Sequence, residues 1–394
     1  MLLENVNIAS PLNRKFITGS ALDSLEVLEH QDIRIVNGMI ESISPSSSSD
    51  KSAKWAIPGF CDPHTHLVFC GTRENEIDIK KEIGYAGVLK QGGGIYSTIN
   101  ATTGCDENTL YSESKARIIS MMKSGTAIFE CKTGYGINSE IEGKMLNVIE
   151  RLERDLKIRI KKTLLAHVIP RDGDERSYLR EFESMLDEFG KRLDYVDVFV
   201  DEGAFSPSFA REVIQYANSN GIPARVHLNE LKNTGGVGIL RDLDIRSYDH
   251  MIETREDEIN QIDAPITVLP FTAISLGKNT AIFSKMKREG KIMAVGSDIS
   301  PNTYITSFPL VLSLARQLLP FTIENLINMG TLNSCYSLSL SGEAGSIHPG
   351  KDANIIVLRE KYDKLGYKLG EDLIERVIIN GIDKRDSSIT DLRH

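Results

Sequence analysis

"IRIKKTLLAHVIPRDGDERSYLREFESMLDEFGKRLDYVDVFVDEGAF", residues 158–205, carries the pattern that decides the fold. A short apolar run, "IRIKKTLLAHVIP", is followed by "RSYLREFESMLDEFGKR", whose apolar residues recur at helical spacing. A second run, "LDYVDVFVDEGAF", comes directly after. Strand, amphipathic helix, strand is the signature of a parallel crossover unit. The same rhythm extends in both directions. Further runs are "WAIPGFCDPHTHL", "GTAIFECKTGYG", "IPARVHLNE", "YDHMIE", "APITVLPFT" and "KIMAVGSDIS". A second amphipathic segment, "SFAREVIQYANSNG", stops at Gly221 before the next run, as helices commonly stop at glycine. Eight runs predict an α/β fold, a (β/α)8 TIM-like barrel.

The two ends of the chain read differently. "ALDSLEVLEH" and "QDIRIVNGMIESISP" near the start, and "GSIHPGKDANIIVLRE" and "DLIERVIINGIDKRD" near the end, are β-like runs separated by turn residues. They predict a small β-sandwich domain composed of residues 1–55 and 345–394, with the barrel spanning 56–344. "PSSSSDKSAK" is a polar loop, and no internal repeat is present.

Composition excludes several classes. The chain has 394 residues, 41% of them hydrophobic and 26% charged, with a net charge of -9. That balance argues against nucleic acid or an anionic membrane as partner. No apolar stretch is long enough to span a bilayer. "MLLENVNIAS" lacks the basic start and apolar core of a signal peptide, so a cytoplasmic location is expected. The five cysteines, Cys61, Cys70, Cys105, Cys131 and Cys335, form no Cys-x-x-Cys pair and are expected to be reduced, buried thiols.

A barrel of this kind places its chemistry at the C-terminal ends of its strands. The first run ends in His64-Thr65-His66, the second at Tyr135, the third at His167, and the fourth at Asp201-Glu202. The fifth carries His227 and Glu230, the sixth His250, and the eighth Asp298. Five of the chain's eight histidines therefore fall at predicted strand ends. A lone histidine is more often a satisfied structural group, but five at one mouth are not packing. His64 and His66, two apart on one strand, share a face. His227 approaches from the opposite wall, and Asp298 adjoins the first strand once the barrel closes. Three imidazoles and a carboxylate suit zinc or iron. Water bound to such an ion loses its proton near neutral pH, and Asp298 can accept that proton. A bridged two-metal site would want a lysine on the fourth strand. None is there, and Lys132 on the second strand reads as a supporting group, so one metal ion is expected.

Several segments carry a family resemblance: "PGFCDPHTHLVFCGTREN", "KQGGGI", "ECKTGYGIN", "LLAHVIP", "RVHLNE", Asp249-His250 and "GSDISPNT". In this order the chain resembles the amidohydrolase superfamily and, within it, the imidazolonepropionases. His-x-His marks the superfamily, whereas "DPHTHLVFCGTREN" and "KTGYG" are specific to the narrower group. The resemblance implies one divalent or trivalent metal per chain, zinc or iron, held by His64, His66, His227 and Asp298. It implies hydrolysis of the cyclic amide of 4-imidazolone-5-propanoate to N-formimidoyl-L-glutamate, as in histidine degradation. Arg73 would bind the substrate carboxylate, which a guanidinium matches bidentately. Tyr135 and His167 would contact substrate. Glu230 and His250 would lie beside the ring, with catalytic roles that the sequence leaves exchangeable. The family commonly has asparagine and glycine where this chain has Ser300 and Asn302, so Ser300, Asn302 and Thr303 are carried over as substrate contacts across a departure from the pattern. Cys70, where glycine is common, reads as buried filler.

"KQGGGIYST" lacks the ending of a phosphate-binding loop and is expected to be a flexible loop over the mouth. The expected partner is a small molecule bearing a carboxylate, and a homodimer is a candidate assembly. Two other functions compete: an aminohydrolase acting on a nucleobase-like ring, and a non-catalytic scaffold of the same fold. The first brings no carboxylate for Arg73. The second would be expected to have lost ligand histidines.

Overall fold

The computed structural model describes residues 1–385 except Lys51 and Asp172, and all side chains there but those of Tyr85, Ala86, Leu89 and Lys90. Residues 386–394 of the expected terminal unit lie outside the described residues.

Four strands come first: β1 (Leu2–Ser10), β2 (Glu26–Val36), β3 (Met39–Pro45) and β4 (Lys54–Pro58). Eight short ones follow: β5 (Phe60–Asp62), β6 (Thr126–Lys132), β7 (Arg159–Ala166), β8 (Tyr195–Val200), β9 (Ala224–Leu228), β10 (Ile245–His250), β11 (Ile266–Val268) and β12 (Met293–Val295). The chain closes with β13 (Ile355–Leu358), β14 (Ile374–Ile379) and β15 (Ile382–Asp383).

Strands β5 to β12 pair in sequence order, all parallel. The two edges meet beyond the last paired residues, through a parallel bridge between Thr65 and Ile299 in which the His66 amide donates to the Ile299 carbonyl at 2.8 Å. Every residue of β6 and of β9 is buried, as expected of strands enclosed by helices outside and side chains inside.

The crossover helices are amphipathic for identifiable reasons. The segment expected from "RSYLREFESMLDEFGKR" is a helix, Glu175–Phe189. Asp174 caps it, accepting from the Ser177 amide at 2.7 Å, while the Ser177 hydroxyl accepts from the Asp174 amide. Its Tyr178, Phe182, Met185, Leu186 and Phe189 face the core, each worth about 1.5–3 kcal/mol when fully buried. The next helix, Pro207–Ser219, starts with a Ser206 cap and proline in its first turn, and the chain leaves it through Gly221 at φ 77°.

The ends of the chain interleave in one seven-stranded sheet, ordered β15-β14-β13-β4-β1-β2-β3. One strand differs from expectation. "WAIPGFCDPHTHL" is not a single barrel strand: Trp55 to Pro58 pair with β1 and β13 in the terminal sheet, and only Phe60–Asp62 enter the barrel. The break falls at Gly59, where a Cβ would stand 3.0 Å from that of Ala127 and 3.2 Å from that of Asn354. Sheet and barrel touch there, and any side chain would have to push its neighbours aside. Among the described residues no helix is long and apolar enough to cross a membrane.

The cysteines also require a correction. Cys61, Cys131 and Cys335 are free and buried, as expected, but Cys70 is bonded to Cys105. The partners are 35 residues apart and meet only because the intervening helices fold back. No spacing rule could have paired them.

Candidate active site

The strand tips bring the expected histidines together. His64 and His66 extend beyond β5, while Thr65 between them turns away, its hydroxyl donating to the Glu130 carbonyl. The Nε2 atoms of His64 and His66 are 3.3 Å apart, and His227 Nε2 lies 3.3 Å from that of His66. Asp298 Oδ1 is 3.6 Å from His64 Nε2 and 3.5 Å from His66 Nε2, and its Oδ2 accepts from the Thr272 hydroxyl. His250 joins His64 and His227 in a second cluster of potential ligand atoms.

These contacts suit an ion better than each other. Nitrogens converge on nitrogens, and the carboxylate stops short of hydrogen-bond distance. Burial pushes the His64 and His66 imidazoles well below their ordinary values, which leaves lone pairs available. Neutral imidazoles with one carboxylate fit a divalent transition metal.

Buried charges stand behind the ring nitrogens. His64 Nδ1 lies 2.7 Å from Asp249 Oδ2, and His227 Nδ1 lies 3.0 Å from Asp197 Oδ2. Lys132 Nζ lies 2.8 Å from both Glu130 and Asp197 and 3.9 Å from Asp249, while Arg225 reaches Asp249 at 3.2 Å. All five side chains are fully buried. Burial opposes the Asp197 charge, but His227 and Lys132 outweigh it and hold the carboxyl well below its usual value. Such partners fix the orientation of a metal-binding imidazole. Lys132 is thus a supporting group, as expected. Asp197 and Arg225 went unnoticed in the sequence, although each is a charge inside an otherwise apolar run.

A cavity of about 110 Å³ opens above this cluster. Its lining holds two sets of polar residues: His66, Tyr135, His167, His227, Glu230, His250 and Asp298 at the strand tips, and Arg73, Lys80, Ser300 and Asn302 from the segments after β5 and β12. A larger cavity, about 670 Å³, lies beside the N-terminal ends of β10 and β11 and contains none of the converging histidines.

In the first set, His167 stacks on His66 with ring centres 5.0 Å apart, and Tyr135 is 5.3 Å from His167. Burial takes the His167 imidazole down to about 3. Tyr135 sits in a loop held by Glu142, which accepts from the amides of Gly134, Gly136 and Ile137 at 2.7, 2.7 and 2.9 Å. Asp201 accepts from the amides of Glu230, Leu231 and Lys232, fixing the turn that presents Glu230. Glu230 lies 3.4 Å from His250 Nε2. Burial, then the Asp298 and Asp201 charges, raise its carboxyl well above the ordinary value.

In the second set, Arg73 Nε donates to Glu76 at 2.8 Å. Glu76 also accepts from the Gly94 amide at 2.9 Å and the Ser97 hydroxyl at 3.2 Å. "KQGGGIYST" is therefore not loop throughout. Gly92 and Gly94 take φ of 85° and 67° in a tight turn, and Ile95–Gly104 is a helix. A Cβ on Gly93 would come within 2.8 Å of Val88 and 3.0 Å of Glu76. Ser300 and Thr303 bond each other's backbones in a turn after β12; Ser300 and Asn302 face the cavity, and Thr303 is not among its lining residues. Lys80, Glu76, Phe199 and Thr272 were not anticipated.

The match to a family model spans residues 55–382 and is described as the amidohydrolase family. An imidazolonepropionase of Thermoplasma acidophilum is 34% identical over 98% of this chain and 97% of its own. One from Bacillus cereus is 31% identical over 92% and 90%, and a probable imidazolonepropionase of Mus musculus 31% over 97% of each. The chain belongs to the amidohydrolase family, alongside its imidazolonepropionases. As in that family, the His/Asp group indicates a divalent metal. Solved structures agree on the fold alone. An adenosine deaminase from Xanthomonas campestris with bound zinc superposes with a TM-score of 0.72 at 14% identity, covering 99% of this chain and 95% of that one. An Escherichia coli guanine deaminase gives 0.72 at 15%, covering 97% and 98%.

Proposed function

We propose that this amidohydrolase opens the ring of 4-imidazolone-5-propanoate to give N-formimidoyl-L-glutamate, using one zinc or iron ion per chain. The observation that carries the reading is the polarity of the cavity. Its lining combines converging histidines and carboxylates with two cations, Arg73 and Lys80. A ring bearing a carboxylate tail matches both sets, while a bare nucleobase leaves the cations without a partner. Near-full-length relatives called imidazolonepropionases support the same reading.

His64, His66, His227 and Asp298 would hold the ion, which supplies acidified water and polarises a carbonyl. Arg73 pairs with the carboxylate tail. Tyr135 and His167 flank the ring, and Ser300, Asn302 and Thr303 complete the wall and turn beside it. The Asp298 carboxylate takes a proton from the attacking water as its oxygen bonds to the ring carbonyl carbon. His250 donates to the carbonyl oxygen while negative charge develops there. The carbon–nitrogen bond then breaks. The leaving ring nitrogen takes a proton from Glu230, whose buried carboxyl favours the protonated form.

The test is an assay of metal-loaded protein with freshly generated imidazolonepropionate, read against a no-enzyme control because the substrate decays by itself. Substrate loss above that control, with N-formimidoyl-L-glutamate appearing, is expected. Ammonia release from cytosine or guanine, with imidazolonepropionate untouched, would replace this reading with a deaminase.

A further inference from the structure

The first helical segment after β5, Glu76–Lys90, is broken at Gly84 (φ 71°), and its turns before that break are unusual. A surface helix normally hides its apolar residues and shows its charges. Here Ile77, Ile79 and Ile83 are 52%, 38% and 43% exposed. Arg73, just before the helix, and Glu76 are buried, and Lys80 is half-buried. Lys80 is one turn beyond Glu76, so the two share a face; Lys80 lines the cavity, and Glu76 holds Arg73, which lines it too. Burying charge while exposing isoleucine is unfavourable for folding, so what the inward charges do there needs another reason.

The local charges do not cancel. Arg73 and Lys80 are two cations, and Glu76 is the acid between them. Glu76 is already engaged by the Arg73 Nε, the Gly94 amide and the Ser97 hydroxyl. Lys80 Nζ donates at 2.9 Å to Asn302 Oδ1, on the turn after the last barrel strand. An amide oxygen aims an ammonium without neutralising it. Of these three charges two are positive, and Lys80 is held in a defined place.

We propose that Lys80 determines substrate specificity: its ammonium, aimed by Asn302, joins Arg73 in a two-cation clamp on the substrate's carboxylate. The inference rests on the proposed function in requiring a carboxylate-bearing ligand. Burial, and then the Arg73 charge, lower the Lys80 ammonium from its ordinary value, a strain that an anion between the two cations relieves. Lys80 is a binding group and Asn302 a positioning residue. Neither takes part in proton transfer at the ring.

The experiment uses two stable ligands of equal shape, imidazole-4-propanoate and imidazole-4-propanamide, titrated into the metal-loaded full chain. The ratio of their dissociation constants reads the carboxylate contact and ignores general loosening of the site. The wild-type chain is expected to favour the propanoate. Lys80→Met should cut that preference about tenfold or more, as loss of one charge-assisted hydrogen bond does, and leave propanamide binding unchanged. Lys80→Arg should keep most of the preference. Asn302→Ala should lower it by less than Lys80→Met. An unchanged ratio in Lys80→Met would overturn the clamp. Equal binding of both ligands by the wild-type chain would overturn the clamp and the carboxylate reading together. If the preference is present and is lost in Lys80→Met, but imidazolonepropionate is not turned over, the clamp stands and the proposed reaction falls.

Discussion

The two sets of cavity-lining residues are secured by different means. The histidine set is built on strand tips. His64 and His227 are braced by Asp249 and Asp197, and these in turn by Lys132 and Arg225, with no water-exposed side chain in that layer. The backbone is strained at the same level: Asn229, His250, Met251 and Asp298 have φ of 54°, 71°, 58° and 54°. Asparagine, aspartate and histidine adopt such angles more readily than other non-glycine residues, so Met251 is the costliest of the four. The cationic set instead hangs on an excursion between β5 and β6, held by the bonds of Glu76 and the Cys70–Cys105 link. The contrast separates two tasks. Under the proposed function, bond-breaking groups need fixed positions and stand on the frame, while groups that choose the ligand sit on a segment that can change without disturbing it.

The comparison can be broken in either set. The largest effect is expected from His66→Ala, which should lose bound metal and turnover together; metal content by elemental analysis beside the activity assay checks it, and an active, metal-loaded variant would sink the assignment. Arg73→Ala should raise KM far more than it lowers kcat, costing about 2–5 kcal/mol if the guanidinium meets a buried carboxylate. Steady-state kinetics decide that, and an unchanged KM counts against the contact. Asp249→Asn removes a brace and not a ligand. Metal affinity should fall about 10–100-fold in chelator competition, with the fold retained. Glu142→Gln leaves the Gly134 amide facing an amide group that cannot accept from it, at about 1–3 kcal/mol, readable as a lower melting temperature. The smallest effect on the chemistry concerns the link itself. Alkylation of the unfolded chain should label three thiols before reduction and five after, in keeping with one bonded pair; five before reduction would remove the link from the account.

Much of the frame was readable because period and position carry it. Seven of the eight barrel strands lie within the apolar runs, while β10 (Ile245–His250) begins three residues ahead of "YDHMIE". The strand-end rule found His64, His66, His167, His227, His250, Glu230 and Asp298. The cationic set was read only in part. Arg73 stood in a specific motif, but Lys80 lies in "EIDIKKEIG", where isoleucines at helical spacing suggest a buried face and lysines a wet one. The structure exposes Ile77, Ile79 and Ile83 and half-buries Lys80, while Lys81 stays in water.

Sequence by itself determined the barrel, the histidine set and the family, because each is written in local order: alternating runs, residues at run ends, and short motifs. Tertiary structure alone decided which charges face each other. Asp197 and Asp249 reach the His227 and His64 rings from other strands, Cys70 meets Cys105, Glu76 gathers the glycine turn, and Lys80 meets Asn302 from 222 residues away. Those pairings follow from barrel closure and helix rotation, which are set by packing over the whole chain and leave no periodic trace in the segments they join.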